Sequence, residues 1–504
     1  MERNPNPMAG LSKSRIQYHR QCPRRLWLHA YRPTLAEIDP EMQMRFDIGN
    51  RVGELARTFY PKGVLIDATN TAQQLADTAK ALAGPPRPIF EATFVADGVL
   101  VRADLLLPSA GGYRMVEVKS ATEVKPNYLD DAAIQAWVVR QSGVPVTRVE
   151  VAVIDKSFTY KGDGNYAGLL KHVDVTVSTR NFESLIPGWI AAARDTLADK
   201  EPLIDVGDQC ETPNRCPFFR SCAPKRVTGS EAYYPVEILP WADELAIDLC
   251  IEGYDDIREV PAFRLKNPIH QRILRVCATG RHELGQGAQA QLRQLGYPRY
   301  YLDFETLNPA IPLWPSTRPY QAIPFQWSCH VETKPGEIGH RAFLAAGIDD
   351  PRRAFVESLV VALGQTGPIF VYNAATERGH MQHLALRYAD LAPALKAAIG
   401  RIVDLLPIAR EHYYHPDMMG KWSIKNVLPT IVPELAYSGL AVGDGTRAMM
   451  AFSELLDPTL APERRAKLQQ DLLTYCERDT LALVKVVQFF ESGVAKKAST
   501  HIVE

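Results

Sequence analysis

The chain has 504 residues, 46% of them apolar and 23% charged, which is the make-up of a folded protein of two or three domains with ample core. Its 57 Lys and Arg balance 58 Asp and Glu, for a net charge of −1, so any surface for nucleic acid has to be local. No apolar run approaches the length of a membrane span and the N-terminus lacks a signal-peptide core, which together predict a cytoplasmic protein that makes no membrane contact.

Residues 1–31 carry six Lys or Arg against one Glu. Ser12 or Ser14 is placed to cap a helix through Ile16 and Tyr18. The bases are interleaved with aromatics up to Cys22-Pro-Arg-Arg-Leu-Trp27, a pattern suited to phosphate contacts. Much later come Cys210, Cys216 and Cys222, with five residues between each pair. Clustered thiolates bind Zn²⁺ or an iron–sulfur cluster, and Cys22, also followed by Pro, is the natural fourth ligand. Spacing alone leaves both metals open. Cys250, Cys277, Cys329 and Cys476 stand singly in apolar stretches and read as small hydrophobes.

Between these cysteines lies an acidic constellation. Pro88–Phe94 reads as a strand, Gly98 as a hairpin turn, and Val99–Leu107 as the return strand bearing Asp104. After Gly111-Gly112, Glu117-Val-Lys119 puts an acid and a base on one face of a third strand. Gln135 follows on a helix over 130–143. An Asp, Glu and Lys set of this kind can bind a divalent cation, orient water and stabilise phosphate charge. A surface Glu–Lys pair is the plainer alternative.

Residues 233–239, with Pro235 and then Pro240, read as a linker, and 241–295 as a small helical connector. A second acidic set then opens in Tyr301-Leu-Asp-Phe-Glu-Thr-Leu307. Asp303 and Glu305, two apart on a strand, share a face and call for a hard cation, Mg²⁺ or Mn²⁺. Strands are expected at 323–331 and 340–344, a helix at 349–363, and a buried strand at 368–373 that ends at Asn373 and leads to Glu377. Glu377 and Asp404 are rival third acids. Ser423-Ile-Lys425 reads as a loop offering a phosphate contact. Tyr475 and Asp479, four apart, share a face of a last helix.

Asp104, Glu117-Val-Lys119 and Gln135, in that order, resemble the motifs of RecB-type PD-(D/E)XK nucleases. The Cys-Pro-Arg-Arg start and three-cysteine close are similar to the iron–sulfur branch that includes the CRISPR-associated exonucleases. The resemblance spans about residues 10–225. It implies a restriction-endonuclease-like fold in which Cys22, Cys210, Cys216 and Cys222 hold a [4Fe–4S] cluster. Asp104 and Glu117 would bind metal, Lys119 would stabilise the hydroxide or transition state, and Gln135 would complete the site. Glu54 stands where that branch often has a metal-binding His. The later set of Asp303, Glu305, Glu377, Tyr475 and Asp479 is similar to DEDDy exonucleases with an RNase H-like (DnaQ-like) fold and 3′–5′ activity. By that resemblance the four acids bind metals and Tyr475 orients the nucleophile, with Glu377 where Asp is usual. The pairing resembles a bacterial family known mainly as a domain of unknown function.

The expectation is therefore an α/β protein with a nuclease domain at 1–230, a connector at 231–295, an exonuclease domain at 296–495 and a tail at 496–504. It would hydrolyse phosphodiester bonds of DNA at two metal sites, in repair, end-processing or defence. The alternatives are an RNA exonuclease, or a nucleic-acid-binding scaffold with one or both sites inactive.

Overall fold

A computed structural model describes residues 10–223, 232–437 and 439–492. The expected tail at 496–504 lies outside them. The chain is a mixed α/β protein that divides into two compact units. One comprises the described residues of Met1–Arg226 together with Pro309–Gln321; the other comprises those of Val227–Asn308 and Ala322–Glu504.

The first unit begins with α1 (Lys13–Gln21), α2 (Pro23–Tyr31) and α3 (Pro40–Thr58). Ser12 is the N-cap of α1, its hydroxyl accepting from the Arg15 amide at 3.3 Å. A mixed sheet follows, built on β1 (Ile89–Ala96), β2 (Val99–Ser109), β3 (Gly112–Val118), β4 (Val146–Ile154) and β5 (Leu170–Asp174). These five lie in sequence order. Asp97 and Gly98 both have positive φ, so the β1–β2 hairpin closes in the two-residue form that right-handed strand twist favours. β3 and β4 pair in parallel, and α4 (Pro126–Gln141) makes the crossover between them. It starts four residues earlier than sequence periodicity suggests because Pro126 suits a first helical turn. Three consecutive residues of α4, Ala132, Ala133 and Ile134, are fully buried against this sheet.

In the second unit, the stretch read as a linker is built into the core instead. Tyr234, Val236, Ile238 and Leu239 are buried, and they share a cluster with Tyr301, Phe370, Tyr413 and Phe490. The prolines fix turns there, and the apolar residues between them supply the burial. The helices α5 (Asp243–Ile251) and α6 (Pro268–Thr279) join the same core. The sheet consists of β6 (Arg299–Leu307), β7 (Ile323–Lys334), β8 (Glu337–Leu344), β9 (Ile369–Val371) and β10 (Ile402–Asp404). Its spatial order is β8-β7-β6-β9-β10, antiparallel across the first three and parallel across the last three. Alternation splits β6 cleanly. Tyr300, Leu302 and Phe304 pack into one core with Phe355 of α7 (Arg352–Ala362). Tyr301, Asp303 and Glu305 take the opposite face, where Tyr301 joins the other core. The chain continues through α8 (Ala375–Arg387), α9 (Leu405–His412) and α10 (Ile424–Ile431). It ends on α11, a helix over Pro462–Ser492 whose buried stripe includes Leu468, Leu472, Tyr475, Cys476 and Asp479.

Candidate functional site

The second unit brings five of its expected residues together. One oxygen each from Asp303, Glu305 and Asp479 lies within 4.8 Å of the others, the one such group among the described residues. β6 supplies two of these acids and α11 the third. Glu305 and Asp479 are buried, while Asp303 keeps an open edge. Burial, then Asp479, Glu305 and Glu377, push the Asp303 carboxyl well above the usual range. Burial and Asp479 push Glu305 up to about 8. Asp479 rises to about 6, chiefly by burial, with Tyr437 and Lys425 opposing.

Glu377 enters from the first turn of α8. Burial pushes its carboxyl up to about 7. Its Oε2 is buried and finds no donor among the described residues. Asp404 is differently occupied. Its oxygens accept from the Asn373 amide at 3.0 Å, the Ala374 amide at 2.9 Å and the Leu406 amide at 3.0 Å. Asp404 is thus the cap of α9 and the clamp on the loop that leads to Glu377. This leaves Glu377 as the acid that faces Asp303.

Tyr475 is buried beside the acids, and burial with Asp479 and Glu305 holds its phenol far above the ordinary range. Lys425 Nζ sits 3.2 Å from its oxygen and 3.1 Å from the Gly443 carbonyl. Ser423 is the N-cap of α10, so Lys425 stands on the first turn of a helix rather than in a loop. Two neighbours escaped the sequence reading. Tyr437 donates to Asp479 Oδ1 from an aperiodic segment. Cys476, read as a core filler, places Sγ 3.9 Å from Asp303 Oδ2. Burial and the acids keep it a neutral thiol. Cys277 and Cys329 are buried as expected, but Cys250 is exposed.

The first unit brings Asp104, Glu117, Lys119 and Gln135 together. Asp104 on β2 accepts from the Val118 amide at 2.7 Å. The Gln135 amide donates to Glu117 Oε2, and Lys119 Nζ lies 2.6 Å from Glu117 Oε1. Two further residues complete the network. Asp131, one turn before Gln135 on α4, is paired with Lys119. Lys13 of α1 reaches Asp131 Oδ1 at 2.9 Å and Glu117 Oε1 at 3.2 Å. Burial, Asp104 and Asp131 push Glu117 up to about 7. Burial also opposes the charge on Asp131, but Lys13 and Lys119 overcome it and hold that carboxyl well below the usual range. Glu54, the residue expected where the iron–sulfur branch has its His, lies on the exposed face of α3.

At the other end of α1, Cys22 is the C-cap. Cys22, Cys210, Cys216 and Cys222 line one cavity with Arg24, Arg25 and Gln209. The Gln21 amide donates to the Gln209 carbonyl at 2.7 Å and the Asn214 carbonyl at 2.8 Å, fastening α1 to the cysteine loop. The four thiols therefore converge across nearly two hundred residues of sequence.

Known proteins add family context. Residues 300–423 match the family described as Domain of unknown function (DUF2779). This match takes in Asp303, Glu305 and Glu377 and stops short of Lys425, Tyr475 and Asp479. The chain is also similar to the uncharacterized protein UU173 of Ureaplasma parvum serovar 3, at 23% identity over 263 residues. That alignment covers 47% of this chain and 38% of the relative, so the chain spans well under half of the relative's length. No helix of the described residues is long and apolar enough to cross a membrane.

Proposed function

We propose that this chain is a metal-dependent nuclease with two hydrolytic sites, acting on DNA. The observation that carries the reading is the convergence of Asp303, Glu305 and Asp479 within 4.8 Å. Buried carboxylates so close repel one another unless protonated or bridged by a cation. With Glu377 added they form an all-oxygen donor set, which fits Mg²⁺ or Mn²⁺. The β8-β7-β6-β9-β10 sheet, with its acids on a central strand and a long C-terminal helix, supports an RNase H-like reading of this unit. The sheet of the first unit, with Asp104, Glu117, Lys119 and Gln135 at one place on it, supports a PD-(D/E)XK reading.

Bound divalent cations would activate a water and stabilise the leaving oxygen. The chain's own groups do the remainder. Tyr475, its phenol held protonated, orients the attacking water by a hydrogen bond and does not take its proton. Lys425 fixes the Tyr475 oxygen and faces the incoming phosphate. In the first unit Lys119 holds the charge that develops on the transferred phosphoryl group.

The cysteine cavity fits a metal centre that joins the two ends of the first unit. Four cysteine sulfurs at one cavity suit a tetrahedral zinc or a [4Fe–4S] cluster. The resemblance of the Cys-Pro-Arg-Arg start and three-cysteine close to the iron–sulfur nucleases favours the cluster.

The deciding assay is incubation of the full chain with Mn²⁺ and end-labelled single-stranded DNA, duplex DNA or RNA. Cleavage of DNA is expected, lost only when Asp303→Asn and Lys119→Met are combined. Tight binding of every substrate with no cleavage would make the protein a scaffold, and preference for RNA would move it to ribonucleases.

A further inference from the structure

The first site contains a lysine that none of its expected parts requires. Lys13 belongs to α1, far in sequence from the strands that bear the acids. Its ammonium lies between Glu117 Oε1 and Asp131 Oδ1, and its side chain is mostly buried. Lys119 touches the same two carboxyl groups. Glu117 is therefore fully engaged, with Oε2 held by Gln135 and Oε1 shared by two ammonium groups. A cation that takes Glu117 Oε1 has to displace one of them.

Geometry decides which. Lys119 is two residues from Glu117, makes the shorter contact at 2.6 Å, and is pinned by Asp131. Lys13 makes the longer contact at 3.2 Å from a separate helix. Lys13 is the one that leaves Glu117. Charge points the same way. Asp104, Glu117 and Asp131 face Lys13 and Lys119, one negative charge in excess. A dication converts that into one positive charge, which a single phosphodiester anion cancels. Without Lys13, the metal-loaded site would be neutral and the bound phosphate would leave it negative again.

We propose that Lys13 is a second catalytic lysine of the upstream site, guarding Glu117 until a divalent cation arrives and then holding a non-bridging oxygen of the scissile phosphate. This rests on the nuclease reading above. Lys13 makes and breaks no covalent bond; it neutralises the phosphate as water attacks. Asp131 is the residue that retains it, catching the ammonium close to Glu117 in both states.

The test uses the full chain carrying Asp303→Asn, so that only the upstream site cleaves, compared with the same chain carrying Lys13→Met or Lys13→Arg. Two quantities are read: cleavage of single-stranded DNA, and the Mn²⁺ concentration that gives half the maximal rise in melting temperature. Lys13→Met is expected to cut about 10²–10³-fold more slowly, the effect of removing one charge-stabilising donor. Its Mn²⁺ midpoint is expected to stay or fall, because a competitor for Glu117 is gone. Lys13→Arg should recover part of the rate. Cleavage by Lys13→Met at the parent's rate overturns the proposal alone. Loss of the Mn²⁺ response together with cleavage makes Lys13 structural and also overturns it. A parent that binds Mn²⁺ yet cleaves no nucleic acid overturns the hydrolytic reading of the upstream site, and the role of Lys13 with it; a chain with Asp303 intact that also cleaves nothing overturns the nuclease reading as a whole.

Discussion

Replacing Glu305 by Gln should make the metal-free second unit more stable while abolishing that unit's response to metal. Glu305 is 7% exposed and its carboxyl is pushed up to about 8 in the fold, against about 4.5 when the chain is unfolded. A carboxyl whose pKa is raised by folding contributes its full stability only below about pH 4.5, and that contribution drains away as pH rises towards 8. Gln is neutral in both states and escapes this loss. At about 1.4 kcal/mol per pH unit, the substitution stabilises the fold by roughly 3 kcal/mol at pH 7 and by up to about 5 kcal/mol above pH 8. For a unit of this size each kcal/mol moves the midpoint by about 2–4 °C. Calorimetry in EDTA at pH 5, 7 and 8.5 should therefore show a gap between variant and wild type that widens with pH. In the transition of the second unit, added Mn²⁺ should close it by raising the wild type alone, since binding to the native state stabilises by mass action. A variant less stable than wild type at pH 7 in EDTA, or one that Mn²⁺ stabilises as much as wild type, would refute the four-acid metal site.

Other substitutions separate the remaining roles. Tyr475→Phe removes the hydroxyl that Lys425 contacts and none of the acids; cleavage by the second site should fall about 10²-fold with the Mn²⁺-induced melting shift intact, read from single-turnover rates in a Lys119→Met background. Asp404→Ala strips the acceptors from three backbone amides and should destabilise the second unit by about 2–3 kcal/mol, seen in urea unfolding; an unchanged midpoint would return Asp404 to the list of free ligands. Cys216→Ser should bleach the brown colour expected of the purified protein and lower the melting temperature of the first unit. The Asp303 site should keep its activity in that variant, and a colourless wild type containing one zinc would exclude the iron–sulfur cluster.

What could be read from sequence, and what could not, follows from the range of the contact. Asp303 and Glu305 were legible because strand alternation alone puts them on one face, and Tyr475 and Asp479 because one helical turn does the same. Each pair is a local fact. The grouping of the cysteines was legible for another reason: Cys210, Cys216 and Cys222 repeat one spacing and Cys22, like Cys216, is followed by Pro, and the four line one cavity. Lys13 and Asp131 carried no such mark. Lys13 sits in a basic stretch where any one base looks like its neighbours, and its partners arrive from a strand and a helix more than a hundred residues later. Tyr437 lies in an aperiodic segment, so nothing aims it at Asp479 before the chain has folded. Asp404 shows the opposite failure. Its position at the end of a short apolar strand fits a metal ligand and a helix cap equally well, and only the three amides that converge on it separate the two. The same rule explains why the linker reading of 233–239 failed. Prolines announce a turn, but whether a turn is solvated or buried depends on what packs over it, and here Val236 and Ile238 are covered by the core that also takes in Tyr301. A stretch whose composition suggested a solvated linker is thus part of the core that Tyr301, two residues before Asp303, also enters.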